Sequence, residues 1–193
     1  MNVRLIKEFR VKAGIWIDDE FLVNNYVIKC KFITVSQDED DHVVCLERIS
    51  FLFDELDSAC FIHQEDQKKA NGLRKCQLKV IELPQEPVDQ IIGMVIFYKI
   101  NAICEQRMMC TDLDISSEIG GHMHYLHSDF EETRAIPESG WWRECTPNLS
   151  YSARPTNEKI VKFAKVDTWQ QYDLNWASDQ LNSPASIHSI NET

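Results

Sequence analysis

Residues 3 to 17 alternate. Val3, Leu5, Phe9, Val11, Ala13, Ile15 and Ile17 fall on odd positions, with Arg4, Glu8, Arg10 and Lys12 between them. Period two over this length predicts a long strand with one wet face. Lys7 interrupts the apolar face and Ile6 the polar one. Asp18-Asp19-Glu20 reads as a turn. Residues 22 to 35 read as a second strand with Tyr26, Ile28, Cys30 and Phe32 on one face, so the two make a long antiparallel hairpin.

The acidic run Asp38-Glu39-Asp40-Asp41 reads as a solvated loop that places negative charge before a helix N-terminus. Leu46, Ile49, Phe53, Leu56 and Cys60 then step by three and four, which predicts an amphipathic helix. Residues 63 to 75 are polar, and Asn71-Gly72 is a turn signal. Cys76, Leu78 and Val80 suggest a short strand, broken by Leu83-Pro84-Gln85-Glu86-Pro87. Pro87 suits the first position of a helix, and Val88, Ile92, Val95 or Ile96, Ile100 and Ile103 form its stripe. Met109, Thr111, Leu113 and Ile115 alternate in another strand. A last one covers roughly 119 to 127, bent at Gly120-Gly121. The order is β-β-α-(β)-α-β-β. It predicts an α+β fold, a mostly antiparallel sheet with two helices packed on one face.

Two regions are expected: a body over residues 1–131 and a Trp-rich C-terminal extension over 132–193. In the extension, 158–166 reads as a short strand and 167–181 as a helix capped by Asp167 or Thr168. Asn182 to Thr193 is polar and reads as a frayed end. Trp141, Trp142, Trp169 and Trp176 are expected to pack the extension onto the body or a neighbouring subunit.

Composition narrows the function classes. The chain has 193 residues, with 20 Lys+Arg against 31 Asp+Glu and a formal charge of -11. That balance argues against nucleic-acid binding, which needs a basic stripe, and fits a soluble protein or one that meets a basic partner. At 44% hydrophobic and 26% charged, the chain has enough apolar content for a packed core. No apolar run reaches the roughly 18 residues of a membrane span, and Met1 to Arg10 lacks a signal-peptide core, so a cytoplasmic protein is expected. The seven cysteines form no Cys-x-x-Cys pair and are expected as reduced thiols, most of them in the core.

Five short stretches in residues 1 to 130 bear a family likeness. Phe9-Arg-Val-Lys-Ala-Gly stands where a Phe-x-Ala-Ala-His segment would. Asn24-Asn25-Tyr26 is similar to the end of His-Gly-His-Asn-Tyr. Glu55-Leu56-Asp57-Ser58 is similar to Leu-Asp-His, and Pro87-Val88-Asp89 to Pro-Thr-x-Glu. Ser117-Glu118, Gly120-Gly121 and Tyr125 are similar to a ligand-anchoring glutamate and its strand. Together they resemble the tunnelling fold, and within it 6-pyruvoyl-tetrahydropterin synthase and 6-carboxytetrahydropterin synthase. The resemblance implies a cytosolic homo-oligomer of four-stranded sheets joined edge to edge, with Glu118 receiving the N–H pair of a pterin- or purine-like ring. The departures are chemical. The family's three zinc histidines are replaced around Gly14 and Val23-Asn24, and its catalytic histidine by Ser58. Cys30 lies beyond the place of the family's catalytic cysteine. No zinc cofactor and no zinc-dependent catalysis are therefore expected.

Two rivals stand beside this reading. One is an acidic, non-enzymatic interaction protein, an inhibitor or assembly factor that binds a protein partner. The other is a metal site at His122, His124 and His127, which would need His122 and His124 on one strand face, with His127 or Asp129 curling back. Solvation of those histidines is the plainer expectation. His63 with Asp57 and Glu65 is a weaker cluster, and Trp141-Trp142-Arg143 is either a stacking platform or a packing cluster.

Overall fold

The computed structural model describes residues 4–128, 136–149 and 167–176. It begins with the expected hairpin, β1 (Arg4–Ile17) and β2 (Glu20–Thr34). Asp18 and Asp19 form the two-residue turn, both at positive φ (49° and 62°), the twist that matches a hairpin's strands. Phe9, Val11, Ala13 and Ile15 of β1 face the core with Tyr26, Ile28, Cys30 and Phe32 of β2. The opposite face is open to solvent and carries Glu8, Arg10, Lys12, Asn25, Lys29 and Lys31.

Helix α1 (Glu39–Leu56) starts inside the acidic run rather than after it. The Asp38 side chain accepts the Asp40 N–H at 3.0 Å and caps the helix, and Glu39, Asp40 and Asp41 fill the first turn. Cys45, Ile49, Leu52, Phe53 and Leu56 are buried against the sheet. Cys60 belongs not to this helix but to strand β3 (Cys60–His63).

The region from 63 to 83 departs from expectation. Asn71-Gly72 lies inside a helix, α2 (Gln67–Lys75), and the strand that follows is β4 (Val80–Leu83), displaced from Cys76. β3, α2 and β4 make a crossover unit, and β3 pairs parallel to both β4 and β1. The sheet is therefore mixed rather than mostly antiparallel, and three helices replace the expected two. It holds six strands in the order β4-β3-β1-β2-β5-β6. Only Ala70 of α2 is buried, so that helix left no apolar stripe to read.

Helix α3 (Asp89–Cys104) is buried on almost every side, and Pro87 sits one residue before its N-cap, Val88. Strand β5 (Met108–Ser117) pairs antiparallel with β2. A bulge leaves Thr111 without a partner, because Phe32 faces Cys110 while Lys31 faces Asp112. The core face thus switches parity, from Met108 and Cys110 to Leu113 and Ile115, where unbroken alternation put Met109 and Thr111 with the latter pair. Strand β6 (Tyr125–Ser128) is shorter than expected, since 119 to 124 form a turn.

Trp141, Trp142, Trp169 and Trp176 are all buried in the same core as the body. Trp141-Trp142-Arg143 is a packing cluster, not an open platform: both indoles are sealed, and the Arg143 guanidinium lies 3.5 Å from the Tyr98 ring centre. Of the helix expected over 167–181, the described part holds a 3-10 turn, Trp169–Tyr172, ended by Asp173 at φ 57°. The strand expected at 158–166 and the tail from 182 lie outside the described residues. Among the described residues no helix is long and apolar enough to cross a membrane.

Candidate functional site

The turn after β5 is a densely hydrogen-bonded polar segment. Glu118 continues the pairing of β5 with β2 through its N–H, which donates to the Asn25 carbonyl at 3.2 Å. The chain then reverses: the Gly121 N–H donates to the Glu118 carbonyl at 3.0 Å and the His122 N–H to the Ser117 carbonyl at 2.8 Å. Gly121 and His122 both take positive φ (63° and 60°), a conformation that costs glycine little and histidine more.

Side chains fasten this turn to the body. The Ser117 hydroxyl donates to Asp89 Oδ2 at 2.6 Å and accepts the Gly120 N–H at 3.0 Å. The Ile119 N–H donates to Asn24 Oδ1 at 3.1 Å. Burial raises the Asp89 carboxyl above the usual aspartate value, and the Ser117 hydrogen bond works against that rise. Gly120 is pressed onto this carboxylate. A Cβ there would stand 2.5 Å from Asp89 Oδ2. Gly120→Ala is therefore expected to displace Asp89 and cost about 1–3 kcal/mol, read as a lower urea midpoint.

The turn forms one wall of a cleft of about 450 Å³ on the open face of the sheet. Glu118 and His122 stand on one side, Arg10, Lys12 and Asp57 on the other, with Asn25 and Ser116 between them. Its volume falls in the range of small-ligand sites. Glu118 is exposed, and its Oε2 accepts from Asn25 Nδ2 at 2.8 Å. Asp57 is placed by a backbone exchange in which its Oδ1 accepts the Lys12 N–H at 2.9 Å and the Ser58 N–H donates to the Lys12 carbonyl at 2.7 Å. Arg10 pairs with Glu8 at 3.1 Å.

The positions that correspond to zinc ligands do lie together. Gly14 is opposite Val23, and Ala13 opposite Asn24. They do not fit zinc. The Phe21 ring covers Gly14 so closely that a Cβ would meet it at 2.6 Å, and the buried Asn24 spends its carbonyl oxygen on Ile119. No imidazole, thiolate or carboxylate stands among these residues. Ser58 is exposed, with its Oγ 3.4 Å from Asp57 Oδ2, and Cys30 is fully buried on the opposite face of the sheet from the cleft.

The three histidines do not share a strand face, because β6 begins only at Tyr125. His122 turns into the cleft. His124 Nδ1 lies 2.9 Å from Asp114 Oδ1 on the surface. His127 is buried, with its Nε2 close against Gly93. Among the described residues no group of three His, Cys, Asp or Glu side chains is placed to hold a metal. His63 turns to the Pro84 carbonyl at 3.2 Å rather than to Asp57 and Glu65. The far wall of the cleft was missed in the sequence. Strand parity puts Arg10, Lys12 and Asn25 on one face, but nothing local returns Asp57 to them.

No family model matches the chain, and no curated protein matches it. Among solved structures, the chain is similar to 6-pyruvoyl tetrahydropterin synthase from Plasmodium vivax. The identity is 10% and the TM-score 0.44, over 66% of this chain and 97% of that one. It is also similar to a catalytic-residue mutant of Plasmodium vivax 6-pyruvoyltetrahydropterin synthase, at 10% identity and TM-score 0.43 with the same coverage. Both belong to the family that the short motifs of this sequence resemble.

Proposed function

We propose that the cleft beside Glu118 binds a small planar ring, pterin- or purine-like, and does so without zinc-dependent catalysis. The observation that carries this reading is the Glu118 carboxylate itself. It stands exposed in the wall of a cleft of ligand size, steadied by the Asn25 amide. A carboxylate so held takes two parallel N–H bonds from an amino-substituted ring. Ser58 stands where the resembled family carries its catalytic histidine, so that imidazole is missing and binding rather than turnover is the activity proposed.

Calorimetry with neopterin and with guanine tests this. A saturable heat with one ring is expected, weakened at least tenfold in Glu118→Gln. No binding by either ring, or equal binding by the variant, overturns the proposal. Self-association along β6, the last strand of the sheet among the described residues, belongs to the same proposal, and native mass spectrometry reads it together with any bound ring. A second reading, an interaction protein for a basic partner, is favoured by one observation. Asp54 on the outer side of α1 is exposed and has no cation partner among the described residues.

A further inference from the structure

Helix α1 carries two stripes. One is the core face already described. The other, Val43, Leu46, Glu47, Ser50, Phe51 and Asp54, steps by three and one along the outer side and mixes apolar with acidic residues. Tyr172, Asp173 and Leu174 lie across from it, at the end of the 3-10 turn. Between the two runs a groove of about 600 Å³. It shares no lining residue with the cleft beside Glu118. Its far wall is held in place. The Phe51 ring meets those of Trp169 and Tyr172 with centres 5.6 and 4.5 Å away, and the Leu174 carbonyl accepts from Arg48 Nε at 2.9 Å. Its floor is apolar. Val43 and Tyr172 leave much of their surface in water, at 52% and 41% exposed.

The charge of this groove has one sign. Glu47, Asp54 and Asp173 line it, and no lysine or arginine does. None of the three carboxylates is in an ion pair with a described residue, whereas the neighbouring Glu55 is taken by Lys79 at 3.1 Å. Two cations touch lining residues. Lys7 donates to Ser50 Oγ at 3.2 Å from the β1 side, and Arg48 is turned inward onto Glu105 and Trp176. Three free carboxylates against the Lys7 ammonium leave the groove negative. Desolvation, and then the charges of Asp167 and Glu55, raise the Tyr172 hydroxyl above its ordinary value, so further carboxylates bear on the same wall. Glu47 and Asp54 are seven residues apart, two turns on one side of the helix and about 10.5 Å along its axis. No strand edge borders the groove, so an occupant must satisfy its own backbone, which a helix does.

We propose that this groove docks an amphipathic helix of a partner protein, apolar along one stripe and carrying two Lys or Arg seven residues apart beside it. The apolar stripe rests on Leu46, Phe51 and Tyr172. The two cations meet Glu47 and Asp54, and Asp173 faces the helix from the opposite rim. Burial of the stripe supplies affinity, and the two-turn spacing of the carboxylates supplies selectivity. The net charge of -11 draws a basic segment in and repels a second copy of this chain.

The test uses the full chain and a labelled peptide of Ala, Leu and Lys, with Leu at three- and four-residue spacing and two Lys seven residues apart beside that stripe. Its control has the same composition with the lysines moved to the face opposite the leucines. Fluorescence anisotropy is expected to show saturable binding of the first and at least tenfold weaker binding of the control. Glu47→Lys with Asp54→Lys reverses one rim, and both side chains are exposed, so folding is not at stake. This double variant is expected to bind the peptide at least tenfold more weakly, and to bind a peptide with Glu in place of Lys at least tenfold more tightly than the original chain does. Glu65→Lys with Glu86→Lys makes the same charge change at exposed positions away from the groove and should leave binding within twofold. Absence of binding overturns the proposal. Equal loss in the two double variants does so as well, since it would show diffuse attraction to an acidic protein. Binding that appears only after Lys159, Lys162 and Lys165 are changed to Glu would name this chain's own residues as the occupant and overturn it. So would a dimer that Glu47→Lys with Asp54→Lys dissolves, which would name a second copy.

Discussion

Lys99→Met is expected to cost about 3–5 kcal/mol of stability, the range for removing one partner from a buried charged arrangement. Lys99 lies in the middle of α3 and is 1% exposed. Its ammonium donates to the carbonyls of Trp141 (3.0 Å), Glu144 (3.0 Å), Thr146 (2.7 Å) and Asn148 (2.9 Å). An ammonium has three protons, so at least one is shared among these acceptors. The whole 141–148 loop is folded around one side chain. Methionine fills much the same volume and offers no donor, so the carbonyls are left buried and unpaired. Urea denaturation measures the loss, and a loss under about 1 kcal/mol would mean that the loop finds other donors.

The same residue gives the protein a pH dependence of definite sign. Burial pulls the Lys99 ammonium down to about 7 from the ordinary lysine value of 10.5, with the Glu144 carboxylate pulling the other way. The unfolded chain holds this proton more tightly than the folded one, so unfolding takes up a proton between those values. Stability contributed by Lys99 therefore rises as pH goes from about 7 to about 10. Lys99→Met should lack that rise. Equal slopes in the two proteins would show that the carbonyls keep Lys99 charged throughout.

Lys99 also shows what the sequence hides. No neighbour of Lys99 along α3 marks it as the centre of a buried polar cluster, because its acceptors lie 42 to 49 residues away. The hairpin was legible because period two runs through both strands with a break only at Ile6 and Lys7, and α1 because its apolar spacing is regular. α2 was not legible, since a helix that buries one alanine leaves no periodic signal. Thr111 is the instructive case: one extra residue shifts the face of β5, and alternation cannot show it. The site divides in the same way. Glu118 could be named from its neighbours along the chain. Arg10, Lys12 and Asp57 could not be placed opposite it without knowing that the end of α1 returns to β1.

Arg48→Ala is expected to free the 167–176 segment from the body while the sheet stays folded. Arg48 is on α1 and 2% exposed. Its Nε donates to the Leu174 carbonyl at 2.9 Å, and one terminal nitrogen donates to the Ile103 carbonyl at 3.0 Å and to Glu105 Oε1 at 2.7 Å. Its guanidinium carbon lies 3.8 Å from the Trp176 ring centre and 4.7 Å from that of Trp169. Arg107 covers Trp176 too, at 3.9 Å, and the Trp176 Nε1–H donates to Glu105 Oε1 at 2.9 Å. Three chain segments thus meet on one guanidinium. Removing it takes the donor from two carbonyls and one of the cations from Glu105, and uncovers one face of each indole, a cost of about 3 kcal/mol or more. Arg48→Lys should recover only part of it, because an ammonium cannot stack flat on Trp176 and fork to two acceptors at once. Tryptophan emission distinguishes release from global unfolding. A red shift below the main urea transition, in Arg48→Ala and less in Arg48→Lys, is the expected result. A single transition with unshifted emission would show that Phe51, whose ring centre is 5.6 Å from Trp169 and 4.5 Å from Tyr172, holds the segment without the charge.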